Sequence, residues 1–136
     1  MTGAAAAVQL LGAADAEHVW RCEFALGGDT AAAARRWLRA SLSEHIVRER
    51  LETAALLIEE IVASSMRRTL SDRQITVLLA VERELLRVDV IDAELDGERI
   101  SAPETGGSTR GLSLVASKAR SWGMTLGPPA RVWFAI

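Results

Sequence analysis

From His18 to Leu26 the residues alternate, with Trp20, Cys22, Phe24 and Leu26 on one side and Val19, Arg21 and Glu23 on the other. A period of two is that of a half-buried strand. Gly27 and Gly28 close it, and Asp29 or Thr30 is placed to cap a helix running to about Ser43. Ala33, Ala34, Trp37, Leu38 and Leu42 form its apolar stripe, and Arg35, Arg36 and Arg39 lie on the other side. From about Val47 to Arg68 a second helical stripe runs through Leu51, Ala54, Ala55, Ile58, Ile61, Val62 and Ser65. Thr53, Leu57, Glu60, Ser64 and Arg67 make the neighbouring stripe.

Ile75 to Val81 is apolar on both sides, which predicts a central strand. Glu82-Arg83-Glu84 turns the chain, and Leu85 to Asp92 pairs back antiparallel, with Leu86, Val88, Val90 and Asp92 on one face. Glu94 to Thr109 is polar and rich in turn formers, so a loop is expected. A third helix is predicted from about Arg110 to Trp122, stopped by Gly123 at C′. Met124–Leu126 and Ala130–Ile136 are the last strands, joined by Gly127-Pro128-Pro129. Three amphipathic helices need one surface to cover. The economical solution is a two-layer α+β sandwich, a mixed and mostly antiparallel sheet with three helices on one face.

The 136 residues suit one domain at 18–136, preceded by a flexible Ala-rich leader at 1–17. That leader lacks the positive start of a signal peptide. A formal net charge of -2 gives no bulk attraction to nucleic acid or an anionic membrane. No apolar run reaches the ~20 residues needed to span a bilayer. The one cysteine, Cys22, has no internal disulfide partner and fits a reducing cytoplasm. The four tryptophans, Trp20, Trp37, Trp122 and Trp133, are expected in or beside the core. His18 and His45 show no metal-ligand spacing and receive no role.

The chemistry is carried by an order of features. A Glu pair, Glu59 and Glu60, sits within the apolar stripe of the long helix. A strand then ends in Asp92, and a Gly-rich stretch, GGSTRGLSLV, leads into a helix. That succession belongs to a nucleotide pocket, where a helix start holds phosphate.

Through EEIVASSMRR, VDVID, TRGLSLV and RVWFAI, in this order and spacing, the chain resembles the GHKL ATPase superfamily, the Bergerat fold. The nearest likeness is to the bacterial anti-sigma-factor serine kinases and their actinobacterial relatives. The resemblance covers roughly residues 18–136 and implies ATP and Mg2+ as ligands. In that family the long helix supplies a Glu that activates the attacking hydroxyl. Four residues later, on the same face, an Asn binds the magnesium. Glu60 matches the Glu, and Ser64 stands at the Asn. Asp92 matches the acid that reads the adenine amino group, followed here by Ala93-Glu94-Leu95 in place of a Gly-containing turn. Gly111 matches the second Gly of a Gly-x-Gly loop and Arg110 the residue between, while Thr109 replaces the first Gly. Ala130, followed by Arg131, occupies a position often polar or basic. Three of the four boxes are altered, which implies weakened or lost ATP binding.

The resemblance thus implies an anti-sigma-factor-like regulatory protein, a pseudokinase that acts by partner switching. Its partner would be a sigma factor or an anti-anti-sigma protein. It would work as a cytoplasmic homodimer, without direct contact to nucleic acid or membrane. The Arg-rich first helix would suit an acidic partner. The alternative is an active ATP-dependent serine-protein kinase, with Glu60 as base and Ser64 plus waters at the metal. A third reading is a histidine-kinase-like domain in another signalling context.

Overall fold

The structure is a computed structural model that describes residues 17–67, 74–83, 85–92, 107–125 and 130–136. Residues 1–16 of the expected leader, Ala93-Glu94-Leu95 and the Gly127-Pro128-Pro129 connection lie outside the described residues. The elements are β1 (His18–Ala25), α1 (Thr30–Leu42), α2 (Arg48–Arg67), β2 (Gln74–Glu82), β3 (Leu85–Asp92), α3 (Gly107–Lys118), β4 (Ser121–Thr125) and β5 (Ala130–Ala135). The strands form one sheet in the order β1-β2-β3-β5-β4, and every neighbouring pair is antiparallel. The architecture is therefore the expected two-layer α+β sandwich. Among the described strands the sheet is wholly antiparallel rather than mixed.

Alternation decides which side of each strand is buried. Ile75, Val77, Leu79 and Val81 of β2 join Leu86, Val88 and Val90 of β3 and Val132 and Phe134 of β5 in the main core. The helices contribute Ala34, Leu38 and Leu42 from α1, the Leu51 to Val62 stripe from α2, and Val115 from α3. Leu78 and Ala80, on the other face of β2, are buried in a second cluster with Val19 and Ile91 against them. A strand apolar on both sides is thus buried on both sides, as its sequence requires.

The start of α1 is tied by Thr30 rather than by Asp29. The Thr30 hydroxyl accepts from the Gly27 N–H at 2.7 Å and donates to the Ala25 carbonyl at 2.7 Å. Asp29 holds the N-cap position without a side-chain capping bond. The arginines of α1 turn toward α2: Arg35 donates to Glu59 at 2.8 Å and Arg39 to Glu52 at 2.6 Å. The expected free basic face is therefore largely used within the fold, although Arg36 stays exposed. No helix among the described residues is long and apolar enough to cross a membrane.

The end of the chain departs from expectation. The helix α3 begins at Gly107 and stops at Lys118, where the sequence suggests 110 to 122. The Ala119 N–H closes the last turn on the Val115 carbonyl at 2.8 Å, and the Arg120 N–H bonds the Ala135 carbonyl at 2.8 Å. The open edge of β5 offers ladder partners to the next residues, and those outweigh the local helical pattern. Trp122 falls on the edge strand and is 38% exposed, not in the core. Gly123 is a strand residue opposite Trp133, not a helix stop.

What Gly123 provides is room. A Cβ there would lie 2.6 Å from Trp133 Nε1, with ring carbons at 2.8 and 2.9 Å. The Trp133 ring also carries the Arg87 guanidinium, whose Cζ is 4.3 Å from the ring centre, so the ring has little freedom to swing away. Gly123→Ala is expected to cost about 1–3 kcal/mol by overpacking, measured by urea unfolding. Thr125→Ala, exposed on the same strand, should stay within about 0.5 kcal/mol of the parent. Equal effects would refute the close-contact explanation.

Candidate functional site

The helix α2 carries Glu60 and Ser64 one turn apart on the same side. Leu57 is fully buried, Ile61 nearly so, and Ser64 continues their stripe at 9% exposure. Glu60 lies at the border and is half-buried. Its neighbour Glu59 takes the ion pair with α1. Asp92 ends β3 on the helix-facing side, in line with Leu86, Val88 and Val90, and is 3% exposed. A carboxylate placed there is shielded from water and must be compensated by polar groups. Asp92 and Ser64 both have interaction partners.

Topology brings these residues to one end of the sandwich. Ile91 pairs with Thr76 and Asp92 with Ala130, so Asp92 lies beside the starts of β2 and β5. Only six residues, 68 to 73, separate the end of α2 from Gln74 at the start of β2. The last turns of α2, which hold Ser64, therefore lie toward that same end. The helix α2 packs on β3 and on α3. The last turn of α3 adjoins Ala135, at the far end of β5.

Arg110 and Gly111 both lie within α3. The sequence suggests Gly111 at the mouth of the helix. Instead Gly107 opens it and Gly111 follows one turn later, with Thr109 helical as well. The register of the expected phosphate loop is thus displaced by a helical turn. Of the expected site residues, Ser64 and Asp92 are both buried on the helix-facing side of the sheet, and Glu60 is half-buried.

No protein-family model matches the chain, and no curated protein matches it either. The site must therefore be judged on its own donors. Magnesium favours oxygen ligands in near-octahedral geometry, usually carboxylates with phosphate oxygens. The described residues contain no group of three or more His, Cys, Asp or Glu placed to hold a metal. At the position where the resemblance implies an amide oxygen, Ser64 offers a shorter hydroxyl inside a closely packed stripe. A single hydroxyl there is a poorer magnesium ligand than the amide oxygen it replaces. Asp92, as a buried acceptor at a strand end, remains suited to read a donor such as an exocyclic amine.

One polar cluster was not visible in the sequence. Asp89, on the sheet face away from the main core, is fully buried between two arginines. Arg87 donates from Nε at 3.0 Å, and Arg131, across the β3–β5 ladder, approaches to 2.5 Å. Burial pushes the Asp89 carboxyl above its ordinary value, and the pull of Arg87 and Arg131 offsets this only in part. The signal in the sequence is Arg-x-Asp on one strand and Arg-x-Trp on the next, legible only once the register is known.

The linkage has a definite sign. Between the ordinary aspartate value of about 3.9 and the raised native one, the folded state holds more protons than the unfolded state. Stability from Asp89 therefore falls as pH rises through that window. Arg131→Met removes one downward pull and widens the window. Its destabilisation is expected at about 1–3 kcal/mol at neutral pH and smaller in acid, where Asp89 is protonated in both states. Urea unfolding at the two pH values checks it, and a loss independent of pH would contradict the ion-pair reading.

Proposed function

We propose that the chain is a regulatory binding protein. It uses a nucleotide-pocket scaffold of the anti-sigma-kinase type with weakened or lost ATP binding. The observation that carries this reading is Ser64. It is buried in the α2 stripe one turn beyond the half-buried Glu60. A kinase of this plan needs a metal-binding side chain there, because base and metal act together in phosphoryl transfer. A hydroxyl at that position keeps the packing and gives up the metal.

The protein acts on partners instead, a sigma factor or its anti-anti-sigma antagonist, as a homodimer in the cytoplasm. The ion pairs between α1 and α2 shift the expected contact surface away from Arg35 and Arg39. Exposed apolar side chains at Val47, Leu56 and Trp122 support a contact surface that is less purely basic. The second reading, an active serine-protein kinase, draws on the retention of Glu60 and Asp92.

Titration calorimetry with magnesium and a nonhydrolysable ATP analogue separates the two. The parent chain is expected to show no saturable binding up to about 1 mM, equivalent to -4.1 kcal/mol. Ser64→Asn is expected to tighten binding at least about tenfold, or 1.4 kcal/mol. Micromolar binding by the parent that is lost in Asp92→Asn, or phosphate transfer to a serine of a partner, would overturn the proposal.

A further inference from the structure

The strand β1 bounds one side of the sheet. It pairs with β2 in unbroken register from His18 to Ala25. Among the described strands none lies on its other side. Such an outer strand presents a row of backbone N–H and C=O groups that can template another strand. Proteins usually blunt an edge of this kind with proline, lysine or a bulge. β1 has no proline and no lysine, and its pairing with β2 skips no residue. The opposite edge, β4, is five residues long and carries no charged side chain to fix a register.

The side chains of β1 select the partner. Arg21 and Glu23 stand on either side of Cys22 and pair with each other at 2.7 Å, both half-exposed. Trp20 and Phe24 stand two residues to either side of Cys22 and face the helices. Both rings are only partly buried, Trp20 edge-on to His45 at 5.0 Å and Phe24 edge-on to Trp37 at 5.7 Å.

This pattern is complementary to its own reverse. Two copies related by a twofold axis pair antiparallel, and opposite residues must share a face of the sheet, so the axis passes through a residue. With the axis on Arg21 or on Glu23, like charges meet. With it on Trp20 or on Phe24, neither charge meets its opposite. With it on Cys22, Arg21 of each copy lies opposite Glu23 of the other, and Trp20 lies opposite Phe24. Opposite charges and paired aromatics are favourable cross-strand neighbours. We propose that β1 joins a second copy of this chain in an antiparallel pair centred on Cys22, so that two five-stranded sheets run on as one. This interface deepens the homodimer of the preceding reading and rests on it for the second copy. Each Arg21 then lies between two glutamates, and the half-buried aromatic rings are covered by their counterparts. The sole cysteine becomes a reporter. Opposite residues of an antiparallel pair have Cα atoms about 4.5–5.5 Å apart, within the span of a disulfide.

The test is sedimentation velocity of the full-length, reduced chain over a concentration series. A dimer is expected. Arg21→Glu and Glu23→Arg each set like charges opposite one another, and each should weaken the dimer at least about tenfold. The double variant carrying both changes should restore it, because its pattern is again self-complementary. That variant also keeps an ion pair within the chain, so restoration separates pairing from folding. Mild oxidation of the parent should link two chains through Cys22. A monomer at the highest soluble concentration would overturn both this interface and the homodimer. A dimer that neither charge reversal weakens, or whose oxidation links no chains, would overturn the interface alone and leave the homodimer reading standing.

Discussion

The burial of one continuous stripe along α2 is the constraint on which the rest of the molecule depends. From Leu51 to Val62 that stripe is almost wholly removed from water. A single helix cannot bury so broad a face on one neighbour. α1 covers one flank, α3 the other, and the sheet lies beneath. Each fully buried Leu or Ile contributes about 1.5–3 kcal/mol, which outweighs any single ion pair on the helix surfaces. The pairs Arg35–Glu59 and Arg39–Glu52 are partly exposed. They orient α1 on α2 more than they stabilise it.

The same stripe places the polar residues. Ser64 continues it beyond Val62, and β3 ends on the same buried side in Asp92. A serine within a packed stripe and a carboxylate on the core side of a strand are both costly unless their polar atoms are satisfied. Their burial on the core side is what makes them the candidate site residues. The reverse face of the sheet solves a similar problem differently. There Asp89 is closed between Arg87 and Arg131, with Trp133 beneath Arg87. That cluster locks β3 to β5 and so holds the strand that ends in Asp92.

Most of the architecture was legible because period and burial agree. The alternation of β1, the two-sided apolar run of β2 and the 3.6-residue stripes of α1 and α2 each had one consistent solution. The end of the third helix is not legible because its local pattern continues through Trp122, while the chain takes hydrogen bonds along β5 from Arg120 onward. No local signal reveals a vacant sheet edge. Glu60, Ser64 and Asp92 stand out only through the resemblance to the GHKL motifs, since a one-turn spacing and a strand-end acid are common in themselves. Gly111 could not be placed, since a helix starting one turn earlier changes its role without changing the sequence. The Asp89 cluster depends on strand register, which composition and spacing do not encode.

The central proposal is that Ser64 of α2 and Asp92 of β3 border one polar chamber. A double-mutant cycle on stability tests it without assuming any ligand. Ser64→Ala, Asp92→Asn and the double variant would be unfolded in urea beside the parent. A shared chamber predicts a coupling energy of about 0.5–3 kcal/mol between the two sites. Additivity within about 0.3 kcal/mol would mean that the two side chains occupy separate surroundings, and the account of the site would fail.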